Sequence, residues 1–92
     1  MNKVYLDGRL TRDVEIRTSK KGNVYLFNIA NNDFPLKTDY FNCVSYDEKH
    51  VEGLKKGDKV AIIGNVRNNT YTDKNNITHY ASNILVTECR KE

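Results

Sequence analysis

Three tyrosines, Tyr40, Tyr46 and Tyr71, lie in strand-like segments at positions that the two-residue period of a strand turns away from a core. Lysines, arginines and asparagines stand near them in the sequence. An exposed ring can stack a nucleobase of any kind, which contributes about 1–3 kcal/mol per base, and cations beside it can follow the phosphates. These residue types therefore predict a surface that stacks the bases of an unpaired nucleic acid.

The elements that must position these rings are predicted to be strands. Apolar residues alternate or occur in short runs between turn residues, and no window longer than about three turns carries a helical stripe. In the segment 39–46, Phe41, Cys43 and Ser45 share the face expected to be buried, and Tyr40 and Tyr46 share the other face. The predicted strands cover residues 3–10, 14–17, 24–30, 39–46, 59–67 with a further stretch around residue 71, and 77–88.

One short helix is predicted between the third and fourth strands, over residues 47–56. Asp47 can cap its start, Val51 and Leu54 lie three residues apart, and Gly57 can end it. Strands in this number and order, with one small helix at this place, are typical of the oligonucleotide-binding fold. We therefore expect an all-β protein, a five-stranded Greek-key barrel.

The composition is that of a globular chain. Hydrophobic residues make up 38% and charged residues 29% of the 92 residues, which is room for one compact domain spanning 1–92. The sequence has no apolar run of membrane-spanning length and no secretory signal at its start, so we expect a cytoplasmic protein with reduced thiols at Cys43 and Cys89. The net charge of +3 is mildly basic and identifies no partner by itself.

The sequence carries no residue set that suggests catalysis. His50 and His79 have no partner at the spacing of a metal site, and a phosphate-binding glycine loop is absent. The neighbouring carboxylates of Asp47 and Glu48 suit the positive end of a helix dipole. We therefore predict a protein without enzymatic activity, cofactor or metal.

Four segments carry a family resemblance, in the same order along the chain. Residues 2–17 are similar to N-K-V-x-L-x-G-R-L-T-R-D-x-E-x-R, 39–46 to D-F-x-N-C-V-x-W/F, 54–58 to L-x-K-G, and 64–73 to G-x-L-R-x-x-x-W/Y-x-D. With these motifs the chain resembles the bacterial single-stranded DNA-binding proteins over nearly its whole length. The resemblance implies the same barrel and non-specific binding of single-stranded DNA during replication, recombination or repair.

The resemblance also implies which residues contact DNA. The stacking aromatics are Tyr40, Tyr46 and Tyr71, with Phe34 as a further candidate on a loop. The cations that would neutralise phosphates are Lys3, Arg17, Lys37, Lys49, Lys55, Lys56 and Arg67. Singly, each is also compatible with an ordinary strand or surface residue, and the three tyrosines together favour binding. The remaining tyrosines, Tyr5, Tyr25 and Tyr80, are assigned to the core or to contacts between subunits.

The sequence departs from the family in two ways. It contains no tryptophan, so the stacking positions hold the smaller ring of tyrosine, which predicts weaker binding. Family members usually continue through a flexible linker to an acidic tip, whereas this sequence ends at Glu92. Recruitment of replication partners by such a tail is therefore not expected, and both a short natural paralogue and a trimmed chain are open.

One barrel offers few rings, so we expect a homo-oligomer, a tetramer first and a dimer second, over which one DNA strand wraps with avidity. The alternative is a primosome-like relative of the same barrel, whose dimer bridges other proteins and holds DNA weakly. The lack of tryptophan and of an acidic tip favours this alternative.

Overall fold

Six strands and one turn of 3-10 helix form the described part of the chain, residues 1–33 and 35–92, in a computed structural model. The strands are β1 (Val4–Leu10), β2 (Glu15–Ser19), β3 (Gly22–Asn31), β4 (Asp39–Ser45), β5 (Lys59–Thr72) and β6 (Thr78–Lys91). Asn69 and Tyr80 are described by their backbone alone. Phe34 and the side chain of Tyr80, both assigned from the sequence, lie outside the described residues.

The strands form one closed sheet. They neighbour one another in the order β1-β5-β6-β4-β3-β2, and an additional pairing of β1 with β3 closes the barrel. β4 and β6 run parallel, pairing at Cys43–Ile84 and Val44–Leu85, and the other neighbours are antiparallel. Because β1 and β2 both pair with β3, they act as two parts of one strand. The predicted five-stranded barrel is therefore confirmed.

The core fills the inside of the barrel and follows the alternation in the sequence. On β3, Tyr25, Phe27 and Ile29 are buried, and on β4 Cys43 and Ser45 are buried. A one-residue slip would turn these side chains outward, at a cost of about 1.5–3 kcal/mol for each large apolar group. The register of β3 against β4 is therefore strongly specified, and with it the outward direction of the intervening residues.

Gly8 lies where β1 passes from pairing with β5 to pairing with β3. A Cβ atom at this position would lie 2.6 Å from the carbonyl oxygen of Ala30, closer than atoms in contact can approach. Gly8 therefore permits the close approach of β1 to β3 that closes the barrel.

The helix predicted over residues 47–56 is much shorter than expected. It is a single 3-10 turn, Glu48–His50, capped as predicted by the Asp47 side chain, which accepts a hydrogen bond of 2.9 Å from the Lys49 backbone N–H. Gly53 has a φ of 75°, which ends any helical path, so the local capping signals did not extend into a helix. No helix of the described residues is long and apolar enough to cross a bilayer.

β5 and β6 are longer than predicted. The gap predicted at 68–70, between two strand segments, is instead strand, because β5 pairs with β6 without interruption from Gly64–Val86 to Thr72–Thr78. Among the side chains of β5 and β6 that the structure describes, no buried residue lies between Gly64 and Ile84. Residues 66–83 therefore project from the barrel as a two-stranded hairpin, which we call the arm.

Candidate nucleic-acid interface

Tyr40 and Tyr46 mark the two ends of the outer side of β4. Their side chains are 65% and 68% exposed, and they alternate with the buried Cys43 and Ser45. Tyr46 directly follows the last residue of β4, and the six residue steps from Tyr40 to Tyr46 correspond to about 20 Å of extended backbone. Each ring can therefore meet a different nucleotide of one extended strand.

Tyr71 lies on the same outer face, although it belongs to the arm. The parallel pairing sets Val44 of β4 beside Leu85 of β6, with both side chains outward. Because residues alternate, His79 on β6 shares the side of Leu85, and so does Tyr71, its partner on β5. Tyr71 is 56% exposed. The structure thus brings the three predicted stacking residues onto one face of the sheet.

Tyr46 and Arg67 meet at a shallow depression of about 200 Å³ in this face, which Val44, Asn83 and Leu85 also line. Val44 and Leu85 supply an apolar floor beside the Tyr46 ring. Arg67 supplies a permanent positive charge, and Asn83 supplies an amide that can donate or accept hydrogen bonds. A base can rest on the floor while its phosphate meets the guanidinium group.

Arg17 lies on the β2 side of the same outer face. It lines a second depression of about 230 Å³, together with Arg12, Asn42 and Val44 among others. Its Nε atom lies 3.3 Å from the Glu15 carboxylate, with both side chains well exposed. A surface pair of this kind is weak, so a phosphate can compete for the guanidinium group.

The predicted lysines are exposed and are not among the residues that line the two depressions. Lys3 places its Nζ 5.3 Å from the centre of the Tyr5 ring, and Lys37 places its Nζ 3.9 Å from Asp39. Lys49 is in the 3-10 turn. The backbone of Lys55 and Lys56 is held in the turn before β5 by hydrogen bonds to Asp58 and Asp13. A role for these lysines in binding stays a prediction.

The two thiols, Cys43 and Cys89, are free and at least partly buried. Burial raises the pKa of Cys43 to about 12 and that of Cys89 to about 11. Since the thiolate is the reactive form, both are poor nucleophiles at neutral pH. In the described ranges, no cluster of three or more His, Cys, Asp or Glu residues could hold a metal ion.

A comparison with known families decides where the chain belongs. Residues 1–91 match the model of the single-strand binding protein family. The chain is a member of this family. The resemblance found in the sequence motifs is thereby confirmed, and the barrel is the fold that this membership implies.

Relatives in the single-strand binding protein family are about one third identical to this chain over the aligned residues. The single-stranded DNA-binding protein of Borreliella burgdorferi is 35% identical over 86 residues, covering 82% of this chain and 58% of the relative. That of Clostridium perfringens is 31% identical over 93 residues, covering 94% and 62%. The chain thus spans about three fifths of the length of these relatives.

A solved structure from the same family is similar over the whole barrel. It is a Plasmodium falciparum SSB complex with ssDNA, with a TM-score of 0.85 and 25% sequence identity. The match covers 99% of this chain and 92% of the other.

Several residues of the outer face were not found from the sequence. Val44, Asn83 and Leu85 form the wall and floor beside Tyr46, and His79 stacks on Tyr71. Strand alternation places Val44 outward, but the pairing of β4 with β6 that joins it to Leu85 has no local signal. Arg12 stood within the family's opening motif, which could have indicated it.

Proposed function

We propose that the chain binds single-stranded DNA with little sequence preference, by stacking bases on Tyr40, Tyr46 and Tyr71 and neutralising phosphates with Arg67 and Arg17. One observation carries the proposal: a single outer face presents three exposed tyrosines and the guanidinium groups of Arg17 and Arg67, of which Arg67 lines a depression with Tyr46. The names of the relatives and the ssDNA bound in the Plasmodium complex support it.

The physical terms of this binding are general rather than sequence-specific. Every base has a face that can stack on a ring, at about 1–3 kcal/mol each, so affinity depends little on sequence. Phosphate contacts release counterions, so affinity falls by roughly 0.7 log units per contact for each log unit of salt. We assign the chain a non-enzymatic role as one binding domain, residues 1–92, that protects cytoplasmic DNA during replication, recombination or repair.

An electrophoretic shift with an unpaired oligonucleotide, compared with a duplex of the same sequence, tests this function. The unpaired strand should shift at a lower protein concentration, because bases in a duplex are already stacked and cannot reach the tyrosines. Equal affinity for both forms, or binding to neither, would defeat the proposal.

We also propose self-association, through the outer side of β1 with the adjoining parts of β5 and β6. Tyr5 is 67% exposed there, beside a groove of about 470 Å³ that Ala61 and Ile63 also line. Glu88 and Arg90 flank the groove with opposite charges. A two-fold axis can therefore place Glu88 of each copy against Arg90 of the other copy. A second copy thus satisfies both the apolar and the charged parts of this face.

Self-association would multiply the rings available to one strand, with a tetramer first and a dimer second. Light scattering measures the mass directly, and Ile63→Glu should lower it while the fold is retained. A monomeric wild-type chain, or an unchanged mass for the variant, would contradict this interface.

The second candidate function is a primosome-like module that bridges proteins and binds DNA weakly. The observation in its favour is that no stacking position holds tryptophan, since the chain has none. A dimer with micromolar affinity for unpaired DNA would favour this candidate, and a tetramer with much tighter, salt-sensitive binding would favour the coating role.

A further inference from the structure

Three side chains at the tip of the arm contact one another in a row, Asp73 with His79 and His79 with Tyr71. The His79 Nε2 atom lies 2.8 Å from the Asp73 Oδ2 atom. The His79 ring stacks on the Tyr71 ring, with 4.9 Å between centroids and 15° between planes. Neither the family motifs nor the outer depressions assign a role to His79.

Asp73 anchors this row of contacts to the backbone of the arm tip. Its Oδ1 atom accepts hydrogen bonds from the backbone N–H groups of Asn75, at 2.8 Å, and Ile77, at 3.1 Å. The hydrogen bond from His79, followed by those from Ile77 and Asn75, holds the pKa of Asp73 below its ordinary value. The carboxylate is therefore ionised at neutral pH and fixed in place, and it accepts the N–H of His79 Nε2.

His79 in turn limits where the Tyr71 ring can point. The imidazole is tethered at Nε2, so its plane is set by the Asp73 carboxylate rather than by free rotation. Tyr71 lies nearly parallel to that plane and still keeps more than half of its surface exposed. Because one face of the phenol ring rests on His79, its exposed area belongs to the opposite face and the edge.

We infer that His79 is a positioning residue, which holds the Tyr71 ring in the orientation that stacks a base. The inference rests on the proposed function and deepens it. Without the contact to His79, the Tyr71 side chain on this projecting hairpin would lose rotational freedom when a base stacks on it. This loss lowers affinity by about two- to tenfold. The Asp73–His79 pair restricts the ring before DNA arrives, so less freedom is lost on binding.

A fluorescence anisotropy titration with a labelled oligothymidylate, repeated over a series of salt concentrations, tests this role. His79→Ala should weaken binding about two- to tenfold and leave the slope of log affinity against log salt unchanged. His79→Phe keeps a ring beneath Tyr71 but loses the hydrogen bond to Asp73, so its affinity should lie between that of His79→Ala and that of the wild type. If His79 acted instead as a cation on a phosphate, His79→Phe would bind as weakly as His79→Ala, with a smaller slope.

A double-mutant cycle separates positioning from direct contact. In a Tyr71→Ala background, His79→Ala should cause no further loss, because there is no ring left to hold. A loss that persists in this background would mean that His79 meets DNA itself, which overturns the inference. Thermal denaturation of each variant shows whether the fold survives, and His79→Phe suits a strand position if His79→Ala unfolds.

The outcomes also distinguish this inference from the proposed function. If the wild type does not bind the oligothymidylate, the proposed function fails. If the wild type binds and Tyr46→Ala weakens it, while His79→Ala has no effect, the function stands and the positioning role is refuted.

Discussion

Replacing Tyr46 by alanine removes a ring that lies outside the core, next to Arg67 and the apolar floor of the outer depression. Loss of one base-stacking contact costs about 1–3 kcal/mol, which corresponds to a loss of affinity of about five- to 160-fold. Because the ring is mostly in solvent, the free energy of unfolding should change by no more than about 0.5 kcal/mol. Anisotropy with an oligothymidylate at fixed salt measures the first quantity, and thermal denaturation the second.

Matched variants sharpen this prediction. Tyr46→Phe keeps the ring and should bind nearly as the wild type does, whereas Tyr46→Trp offers more area and should bind more tightly. Tyr25→Ala is the counterpart in the core, and it should destabilise the fold by about 3–5 kcal/mol. Unchanged affinity of Tyr46→Ala would refute stacking at this position, and unfolding of that variant would show that the ring supports the core.

Three further predictions concern charge, acid and backbone packing. Arg67→Ala should reduce the slope of log affinity against log salt by about 0.7. The control is Lys91→Ala, which removes an ion pair with Asp58 at the far end of β6 and should leave the slope unchanged. Equal slopes for both variants would show that Arg67 does not contact a phosphate. Folding lowers the pKa of Asp73 from 3.8. The hydrogen bonds to the Asp73 carboxylate therefore stabilise the arm tip at pH values above 3.8, and this stabilisation is lost as the pH falls through the lowered pKa. The amide resonances of Asn75 and Ile77 should therefore titrate with a midpoint below 3.8, and a midpoint at or above it would contradict the contacts. Gly8→Ala should destabilise the barrel by about 1–3 kcal/mol in denaturant titrations, because its Cβ would meet the Ala30 carbonyl; wild-type stability would show that β1 can move away.

The parts of the fold that were predictable are those set by alternation along one strand. The inside of the barrel holds the apolar core, so Phe27 and Cys43 must face inward, and the residues next to each of them along its strand must face outward. Tyr40 and Tyr46 could be placed outside for this reason alone. The direction of a side chain on a strand is a local property, and the sequence contains it.

The parts that were mispredicted depend on pairing between distant segments. Residues 68–70 have the composition of a turn, but a continuous ladder with β6 holds them in strand. Asp47 caps the helix start as its residue type indicates, yet the 3-10 turn ends at His50, and Gly53 takes a positive φ that a continuing helix does not allow.

The same limit applies to the site. The floor beside Tyr46 exists because β4 runs parallel to β6, and the ring beneath Tyr71 exists because β5 pairs it with His79. No spacing in the sequence encodes either contact. Sequence patterns could therefore identify the stacking tyrosines but not the residues that pack against them.

The central claim is that bases stack on the outer tyrosines. Aromatic NMR spectra of the protein, with and without an unlabelled oligothymidylate, report on each ring separately. We expect the ring resonances of Tyr40, Tyr46 and Tyr71 to move upfield as bases settle over them, while those of the buried Tyr25 stay in place. DNA binding that leaves all three outer rings unmoved, or that shifts Tyr5 instead, would contradict the account.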